Sequence, residues 1–417
     1  MKLLGALYNS DDKKALVSNF MYLSILQIAS YVFPLLTFPY LTRIIGAENF
    51  GKLAFALVVV SYFQTIVDWG FNFSSTRDVA RNRNNICELS RIFTNVTWAR
   101  MMFVILSLCV LLSCIILVPK FNENGLVLIV TFLYIPCQLL FPEWLFQGLE
   151  RMKYVTLINL FSRFLFTCLV FIVIKSKDDY FLQPVLVLGG QLVAGIVSYR
   201  IISKKFGIRI GKPCWSEIKQ SIISSFDLFI NSLMPNLYNS LSLVLLGFWR
   251  GDSANGLFEV ANKFVTIAYQ FLFIFSRTFF PYLSRRIDKH QLYVVTYLSI
   301  GIIMSFTLAW IAPYLIGYFF TEEYLGSILI LRILSFSIFF LSLSNVYGTN
   351  YLIIVGKERL LRNITFVSSI IGFCLAVPLV YQYGLLGAAV TITVSRAVLG
   401  LLTAYYAISI KKTINYA

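Results

Sequence analysis

Apolar runs of about 20 residues recur along the whole chain, separated by short polar segments. A helix of that length crosses the hydrocarbon core of a bilayer, which is roughly 30 Å thick. The length and continuity of the runs favour helices over membrane-spanning strands. The pattern therefore predicts twelve transmembrane helices, at residues 18–42, 53–73, 93–118, 126–148, 154–174, 183–202, 222–247, 256–280, 292–317, 326–351, 363–382 and 385–409.

The run 256–280 combines membrane-length hydrophobicity with a polar stripe. Glu259, Lys263, Thr266, Gln270 and Arg277 recur at helical spacing, and at about 100° per residue they share one face. Charges in lipid are costly and normally face a bundle interior or a water-filled cavity. The stripe favours a polar route through the membrane, although a Glu259–Lys263 pair that only helps the helix to pack would also explain its first turn.

Composition and charge support a polytopic membrane protein with a defined orientation. Of the 417 residues, 58% are hydrophobic and 13% are charged, and the mean hydropathy is +0.78. With the N-terminus placed in the cytoplasm, 23 lysines and arginines fall on the cytoplasmic side and 6 on the opposite side. This bias follows the positive-inside rule and predicts that both termini are cytoplasmic. The net charge of +16 therefore reflects topology and attraction to anionic lipid headgroups, and it requires no nucleic acid.

Two motifs recur at an offset of about 205–208 residues. The segment Gly46-Ala-Glu-Asn-Phe-Gly51 matches Gly251-Asp-Ser-Ala-Asn-Gly256, and Gly148-Leu-Glu-Arg151 matches Gly356-Lys-Glu-Arg359. Six predicted helices lie in each half, so the halves would run in the same sense across the membrane. Such parallel repeats are typical of transporters with a site between the halves.

The repeat predicts an all-α integral membrane protein built from two six-helix bundles. The predicted organisation is a cytosolic lead at 1–17, an N-terminal bundle at 18–203, a basic cytoplasmic linker at 204–221, a C-terminal bundle at 222–410 and a cytosolic tail at 411–417. Prolines are expected to break the first helix at Pro34 and Pro39 and the fourth at Pro136 and Pro142.

Polar side chains recur in other spans. The second run, which the repeat aligns with the eighth, carries Ser61, Gln64, Thr65, Asp68 and Asn72 on one face. In the seventh run, Asp227 and Asn231 lie on one face, close to Pro235. Broken helices beside polar residues suit a cavity wall or a hinge.

Ten residues of the spans therefore stand out for their charge. The basic ones are Arg100, Arg163, Lys263, Arg277, Arg332 and Arg396, and the acidic ones are Asp68, Glu143, Asp227 and Glu259. Arg100 and Arg277 are close enough to the predicted cytoplasmic ends to extend to the interface. Asp68, Asp227 and Glu259 are candidates for coupling to a proton or a sodium ion, and the alternative is that they only neutralise neighbouring cations.

Enzymatic and metal-binding motifs are missing from the sequence. Gly46 to Lys52 matches G-x-x-x-x-G-K, but Leu53 replaces the Ser or Thr that would hold magnesium, and no strand precedes it. The single histidine, His290, falls in a predicted basic loop. No Ser/His/Asp set and no His/Cys cluster appears, so we predict neither an enzyme nor a cofactor or metal site.

Four segments together resemble a known family. They are Pro39-Tyr-Leu-Thr-Arg43 with the following glycine turn, Asp68-Trp-Gly70-Phe with Ser75-Thr-Arg77, Pro142-Glu-Trp144 with Gln147-Gly148, and Ala261-Asn-Lys263 with Phe280-Pro281. They resemble the O-antigen flippases, the Wzx group of polysaccharide exporters, which share a superfamily with multidrug-extrusion proteins and lipid II flippases.

The resemblance implies two bundles that form a V around a central polar cavity in the bacterial inner membrane. It implies an undecaprenyl-diphosphate-linked oligosaccharide as cargo, moved from the cytoplasmic to the periplasmic leaflet, with membrane lipids around it. An O-antigen polymerase and a chain-length regulator are the protein partners it suggests. The basic residues above, together with Gln64, Gln270 and Asn231, are then candidates to contact the anionic, sugar-rich cargo.

Two other functions are compatible with parts of the pattern. A drug or cation antiporter of the same superfamily would need a net acidic cavity, whereas these spans hold six bases and four acids. A membrane oligosaccharide polymerase would be expected to have a long outer loop with catalytic residues, and the outer loops predicted here are short.

We predict that Glu259→Gln and Asp227→Asn each impair polysaccharide export without lowering the amount of protein in the membrane, because each removes a candidate coupling charge. Export is measured as surface polysaccharide, and protein as tagged chain in isolated membranes. Normal polysaccharide in both variants would remove these two carboxylates from the mechanism.

Overall fold

The computed structural model describes residues 10–416. Within that range it leaves some side chains undescribed, at 10–20, 23, 24, 31, 231, 235, 237, 238, 278, 281, 282, 285 and 412–416. All regular elements of the described chain are helices, which confirms the predicted all-α class. Most of the predicted lead at 1–17 lies outside the described residues or among undescribed side chains, and the predicted tail continues the last helix to Tyr416.

The chain forms two compact units. Unit 1 contains the residues up to Ile44 and Val59–Ser232, and unit 2 contains Ile45–Val58 and Leu233 onward. The helices of the first half of the chain are α1 (Ser10–Asp68), α2 (Phe71–Arg81), α3 (Ile86–Leu117), α4 (Pro119–Glu123), α5 (Gly125–Phe132), α6 (Tyr134–Leu139), α7 (Glu143–Gly148), α8 (Met152–Val173) and α9 (Leu182–Lys205).

The second half of the chain is also built from helices. Its helices are α10 (Trp215–Asn239), α11 (Leu241–Arg250), α12 (Asp252–Arg285), α13 (His290–Phe319), α14 (Ser327–Leu343), a π-helix (Ser344–Leu352), α15 (Glu358–Tyr383) and α16 (Leu385–Tyr416). Short 3₁₀ turns precede α9, α13 and α14.

Ten helical stretches of the described chain are long and apolar enough to cross a membrane. The first, Ile25–Arg81, has 57 residues and covers two of the predicted runs. The seventh predicted run falls on α10 and α11, so all twelve runs lie on helices. Large apolar side chains cover the outside of these helices; Leu117 is 77% exposed and Ile172 is 67% exposed, as expected of surfaces in contact with lipid.

The first predicted helix does not break at its prolines. Helix α1 continues through Pro34 and Pro39, and its backbone leaves helical geometry only at Gly46. Proline is tolerated inside membrane helices because neighbouring groups can satisfy the carbonyl that loses its partner. The prediction was correct for the fourth helix, which is divided into α5, α6 and α7 around Pro136 and Pro142.

The glycine turns confirm the first repeat motif at the level of the backbone. Gly46 has φ 76° and ψ 173°, and Gly251 has φ 86° and ψ 179°. This region of conformational space is open almost only to glycine, so the same residue is required at both turns. In each case a new helical segment follows directly.

The second repeat motif is out of register by two residues. The positive φ that ends α7 belongs to Glu150, at 58°, and its counterpart in the second half is Gly356, at 72°. Both ends close with the same hydrogen bond, from Arg151 N–H to the carbonyl of Phe146 and from Lys357 N–H to that of Leu352. Gly356 therefore corresponds to Glu150, whereas the sequence match paired it with Gly148.

Two glycines allow the turn segments to pack backbone against backbone within unit 2. A Cβ atom on Gly51 would lie 1.7 Å from the carbonyl oxygen of Asp252, and one on Gly256 would lie 2.2 Å from that of Ala47. The contacts are reciprocal, because Ala47 and Asp252 follow the two turn glycines at the same position. Small residues permit the same close approach between membrane helices in general.

We predict that Gly256→Ala lowers the free energy of unfolding by about 1–3 kcal/mol, because its methyl group would overlap the Ala47 carbonyl. Thermal unfolding of the detergent-solubilised chain measures the effect. Gly317→Ala is the matched control, since a Cβ at Gly317 meets nothing within 4 Å. Equal midpoints for both variants would show that this contact is not tight.

Candidate functional site

A buried ion pair lies at the end of α1 in unit 1. Arg100 Nη2 is 2.8 Å from Asp68 Oδ1 and donates a second hydrogen bond of 2.7 Å to Asn72 Oδ1. The Arg100 side chain is 6% exposed and that of Asp68 is 25% exposed. The sequence suggested that Arg100 extends to the membrane interface. In the structure its guanidinium is instead enclosed with two oxygen acceptors, on Asp68 and Asn72.

A local break in the backbone brings these two acceptors together. Asp68 is the last residue of α1, Trp69 and Gly70 have φ of 41° and 76°, and α2 then carries Asn72. The Trp69 ring stacks on Phe229 with centroids 4.1 Å apart, which fixes the break by packing. The sequence predicted one continuous polar face along the second run. The backbone break instead places Asp68 and Asn72 of that run around the Arg100 guanidinium.

Other predicted residues of unit 1 lie in polar surroundings. Gln64 Nε2 donates to Gln138 Oε1 at 3.0 Å, which joins α1 to α6. Arg163 on α8 is half-buried and forms no hydrogen bond or ion pair with the described residues. Its charge, with those of Asp68 and Glu143, contributes to the electrostatic environment of Tyr134. Gln64, Asp68, Arg100 and Arg163 therefore belong to the polar interior of unit 1.

In unit 2, the first three turns of the α12 stripe form a partly buried polar patch. Asn262 Nδ2 reaches Glu259 Oε2 at 3.5 Å, which is a long hydrogen bond. Lys263 is half-buried, and in the described structure it forms neither a hydrogen bond nor an ion pair within 4 Å. The side-chain oxygens of Asn262 and Gln270 are buried and lack hydrogen-bond partners among the described atoms. Glu259 and Lys263 thus do not form the close pair that would explain the stripe by packing alone.

Arg396 is held by neutral groups of unit 2. Its Nη1 donates to Ser337 Oγ at 2.8 Å, and its Nη2 donates to Asn239 Oδ1 at 3.3 Å. Two of the contacts of Arg396 are therefore with neutral groups.

The remaining candidates lie at exposed positions. Arg332 is exposed and donates to the carbonyl oxygen of Ala309 at 3.3 Å, and Arg277 is exposed with its guanidinium 4.7 Å from the centre of the Phe273 ring. Asp227 is also exposed. The side chain of Asn231 lies outside the described ones. The structure therefore does not join Arg277 and Arg332 to the buried part of the stripe.

A buried polar network at the π-helix was not predicted. Ser276 of α12 donates to Asn345 Oδ1 at 2.5 Å, and Asn350 Nδ2 donates to Ser276 Oγ at 2.7 Å and Tyr293 OH at 3.1 Å. His290 is not in a loop but begins α13; it is 1% exposed and contacts the Val346 carbonyl at 3.1 Å. Asn345 and Asn350, which lie inside an apolar run, were the signal in the sequence that could have revealed this network. The π-helix is itself of interest, because π-helices recur at functional sites.

No group of three or more His, Cys, Asp or Glu side chains that could hold a metal ion occurs in the described part of the chain.

Comparison with known families adds an identification to this geometry. Residues 16–287 match the family model described as polysaccharide biosynthesis protein. This chain belongs to that family. It is 29% identical to the "Putative O-antigen transporter" of Escherichia coli K12 over 394 residues, which cover 91% of this chain and 94% of the relative. A Shigella dysenteriae protein of the same description is also 29% identical, over 90% of this chain and 95% of its own length.

Solved structures show the same fold. An inward-facing multidrug resistance transporter of the MATE family, in the MOP superfamily, aligns with a TM-score of 0.73 over 96% of this chain and 99% of its own, at 12% identity. The lipid II flippase MurJ in an inward closed conformation aligns with a TM-score of 0.72 over 94% of this chain and 87% of its own, also at 12% identity. The chain is therefore a multi-pass membrane protein with the transporter fold of this superfamily, as its resemblance to the O-antigen flippases implied.

We predict that Asp68→Asn and Arg100→Met each destabilise the protein strongly, by about 3–5 kcal/mol, because each leaves one buried charge uncompensated. The double variant Asp68→Asn/Arg100→Met should recover much of this loss, since it removes both charges. Thermal unfolding in detergent gives the four corners of the double-mutant cycle. Strictly additive losses would contradict a pair that acts as a unit.

Proposed function

We propose that this chain is a flippase for an undecaprenyl-diphosphate-linked O-antigen or polysaccharide repeat unit. In this proposal it moves the cargo from the cytoplasmic to the periplasmic leaflet of a bacterial inner membrane by alternating access, with both termini in the cytoplasm and without catalysing a chemical reaction. The family assignment, the similarity to O-antigen transporters and the transporter fold support this function.

The observation that carries the proposal is the ammonium group of Lys263. Lys263 is half-buried on a membrane-length helix, and in the described structure no carboxylate lies within 4 Å of its ammonium group. Glu259, one helical turn away, interacts with it electrostatically only at longer range. A cation in such a place is expensive unless a partner is supplied. A diphosphate is a suitable partner, because a charged donor forms stronger hydrogen bonds with anionic oxygens than with neutral ones. The buried amide oxygens of Asn262 and Gln270 lack hydrogen-bond partners in the described structure and would accept from sugar hydroxyls once a change of conformation exposes them.

A polar patch of this kind would lower the energy barrier for moving the cargo through the membrane. Each sugar hydroxyl that loses water without gaining a partner costs roughly 2–7 kcal/mol, so a short oligosaccharide faces a barrier of tens of kcal/mol in bare lipid. Polar side chains along the path replace the lost hydrogen bonds, while the lipid tail stays in the bilayer. An inside-negative potential assists outward movement of an anion by about 2.3 kcal/mol per charge per 100 mV.

Of the acidic residues in the spans, Asp68 is unavailable to a cationic drug because Arg100 neutralises it. Glu143 accepts a hydrogen bond of 3.0 Å from the neutral Asn159 and keeps its charge. Glu259 is the candidate for coupling to a proton or a sodium ion, because its one hydrogen bond in the described structure is the long contact of 3.5 Å from Asn262. A coupling ion that occupied Glu259 would alter the field at Lys263 one helical turn away.

We predict that Lys263→Gln lowers surface polysaccharide about ten- to hundredfold, because a charge-assisted hydrogen bond contributes about 1.5–3 kcal/mol. The assay is complementation of a host strain that lacks its own copy of this gene, with the polysaccharide resolved on a gel and the tagged protein quantified in membranes. Lys263→Arg should retain most of the export, because it keeps the positive charge.

Lys219→Gln is the matched control, because Lys219 is an exposed lysine at the start of α10. It should export normally. Normal polysaccharide in Lys263→Gln would reject Lys263 as a cargo contact. Resistance to cationic drugs, with no effect of the gene on polysaccharide, would instead identify an antiporter.

A further inference from the structure

Unit 1 contains a polar cleft that the flippase proposal does not use. It lies where α2, the first turns of α3 and the first half of α10 meet, and it encloses about 470 Å³. That volume is within the range of roughly 300–1,000 Å³ for small-molecule sites. The lining residues come from segments that the positive-inside rule places at the cytoplasmic surface.

Both arginines of the cleft form ion pairs with carboxylates of its own lining. Arg91 pairs with Glu88 at 2.8 Å and with Glu217 at 2.9 Å, and Arg77 pairs with Asp78 at 3.1 Å. Two arginines face three carboxylates, so the lining has a surplus negative charge. Such a cleft disfavours phosphate or diphosphate, in contrast to the patch at Lys263.

Neutral polar groups supply the binding capacity of the cleft. Ser75 is 3% exposed, and neither its hydroxyl nor the side-chain amide of Gln220 forms a hydrogen bond with the rest of the described chain. The buried hydroxyls of Ser74 and Ser225 also line the cleft and lie 2.8 Å apart, and either can donate. The hydroxyl, amide and carboxylate groups of the lining match the alternating donors and acceptors of a sugar.

The segment before α10 holds the cleft in shape. Gly211 N–H donates to Thr94 Oγ1 at 2.9 Å, and Cys214 N–H donates to Asn95 Oδ1 at 3.2 Å. The Asn95 amide in turn donates to Glu217 Oε2 at 2.6 Å. The segment that the sequence predicted as a basic linker is therefore hydrogen-bonded to α3. Because these contacts already order the polar groups of the cleft, a ligand would not lose binding free energy by immobilising them.

We propose that this cleft binds uncharged sugar residues of the cargo at the cytoplasmic surface, separately from the diphosphate. This inference rests on the proposed function, since it takes the cargo to be a lipid-linked oligosaccharide. The two sites divide the recognition: the cleft selects hydroxyl groups and rejects phosphate, and Lys263 accepts the anion.

The test is saturation-transfer NMR on the full-length protein in nanodiscs, with a mixture of neutral methyl glycosides of common hexoses, deoxyhexoses and N-acetylhexosamines as the probe. Gln220→Trp fills the mouth of the cleft from an exposed position, so it should not disturb folding. Lys219→Trp places the same ring next to it, on a residue that does not line the cleft.

We expect at least one glycoside to receive saturation from wild-type and Lys219→Trp protein, and its signal to fall about threefold or more in Gln220→Trp. Added inorganic diphosphate should leave the signal unchanged. Equal signals in both tryptophan variants, displacement by diphosphate, or no signal from any glycoside would each overturn the proposal. The complementation assay is independent of this result: export that depends on Lys263, without sugar binding in the cleft, would reject the cleft and leave the flippase standing.

Discussion

The constraint on which the structure depends is that polar groups in the bilayer need partners. Backbone groups satisfy this need by forming helices throughout the described chain, whereas each polar side chain requires a partner of its own. Arg100 has Asp68 and Asn72, and Arg396 has Ser337 and Asn239 among its partners, whereas Lys263 forms no hydrogen bond and no ion pair within 4 Å in the described structure. Its charge interacts with Glu259 only at longer range. The same rule that makes Arg100 structural is our reason for proposing Lys263 as a contact for an external anion.

Glycine and left-handed residues shape the polar regions. The break after Asp68 turns one helix face into a pocket for a guanidinium, and the turns at Gly46 and Gly251 begin two segments that pack closely in unit 2. Each break costs local helical hydrogen bonds, and packing offsets that cost, as the stacking of Trp69 on Phe229 illustrates. Departures from straight helices are thus concentrated where polar residues gather.

The cleft of unit 1 and the polar patch on α12 differ in charge. The cleft near the start of α10 has a carboxylate surplus and many hydroxyl and amide groups, and the α12 patch has a lysine that forms no ion pair within 4 Å in the described structure. A cargo with a neutral, hydroxyl-rich part and an anionic part suits both. A cationic drug would gain little from Lys263, which is the physical reason for preferring a lipid-linked oligosaccharide to a drug as cargo.

The sequence by itself determined the features that depend on local chemistry. Hydrophobic length placed all twelve predicted runs on helices, the requirement for glycine at positive φ marked the turns at Gly46 and Gly251, and helical spacing placed Glu259 and Lys263 on one stripe. Only the tertiary structure decided which charges are paired, because Asp68 and Arg100 are 32 residues apart and meet through a backbone break that no pattern announced. It also decided that α1 passes Pro34 and Pro39, that His290 is buried and that the basic linker docks on α3. Each of these depends on neighbours from distant parts of the chain, which supply hydrogen bonds and packing that local periodicity does not encode.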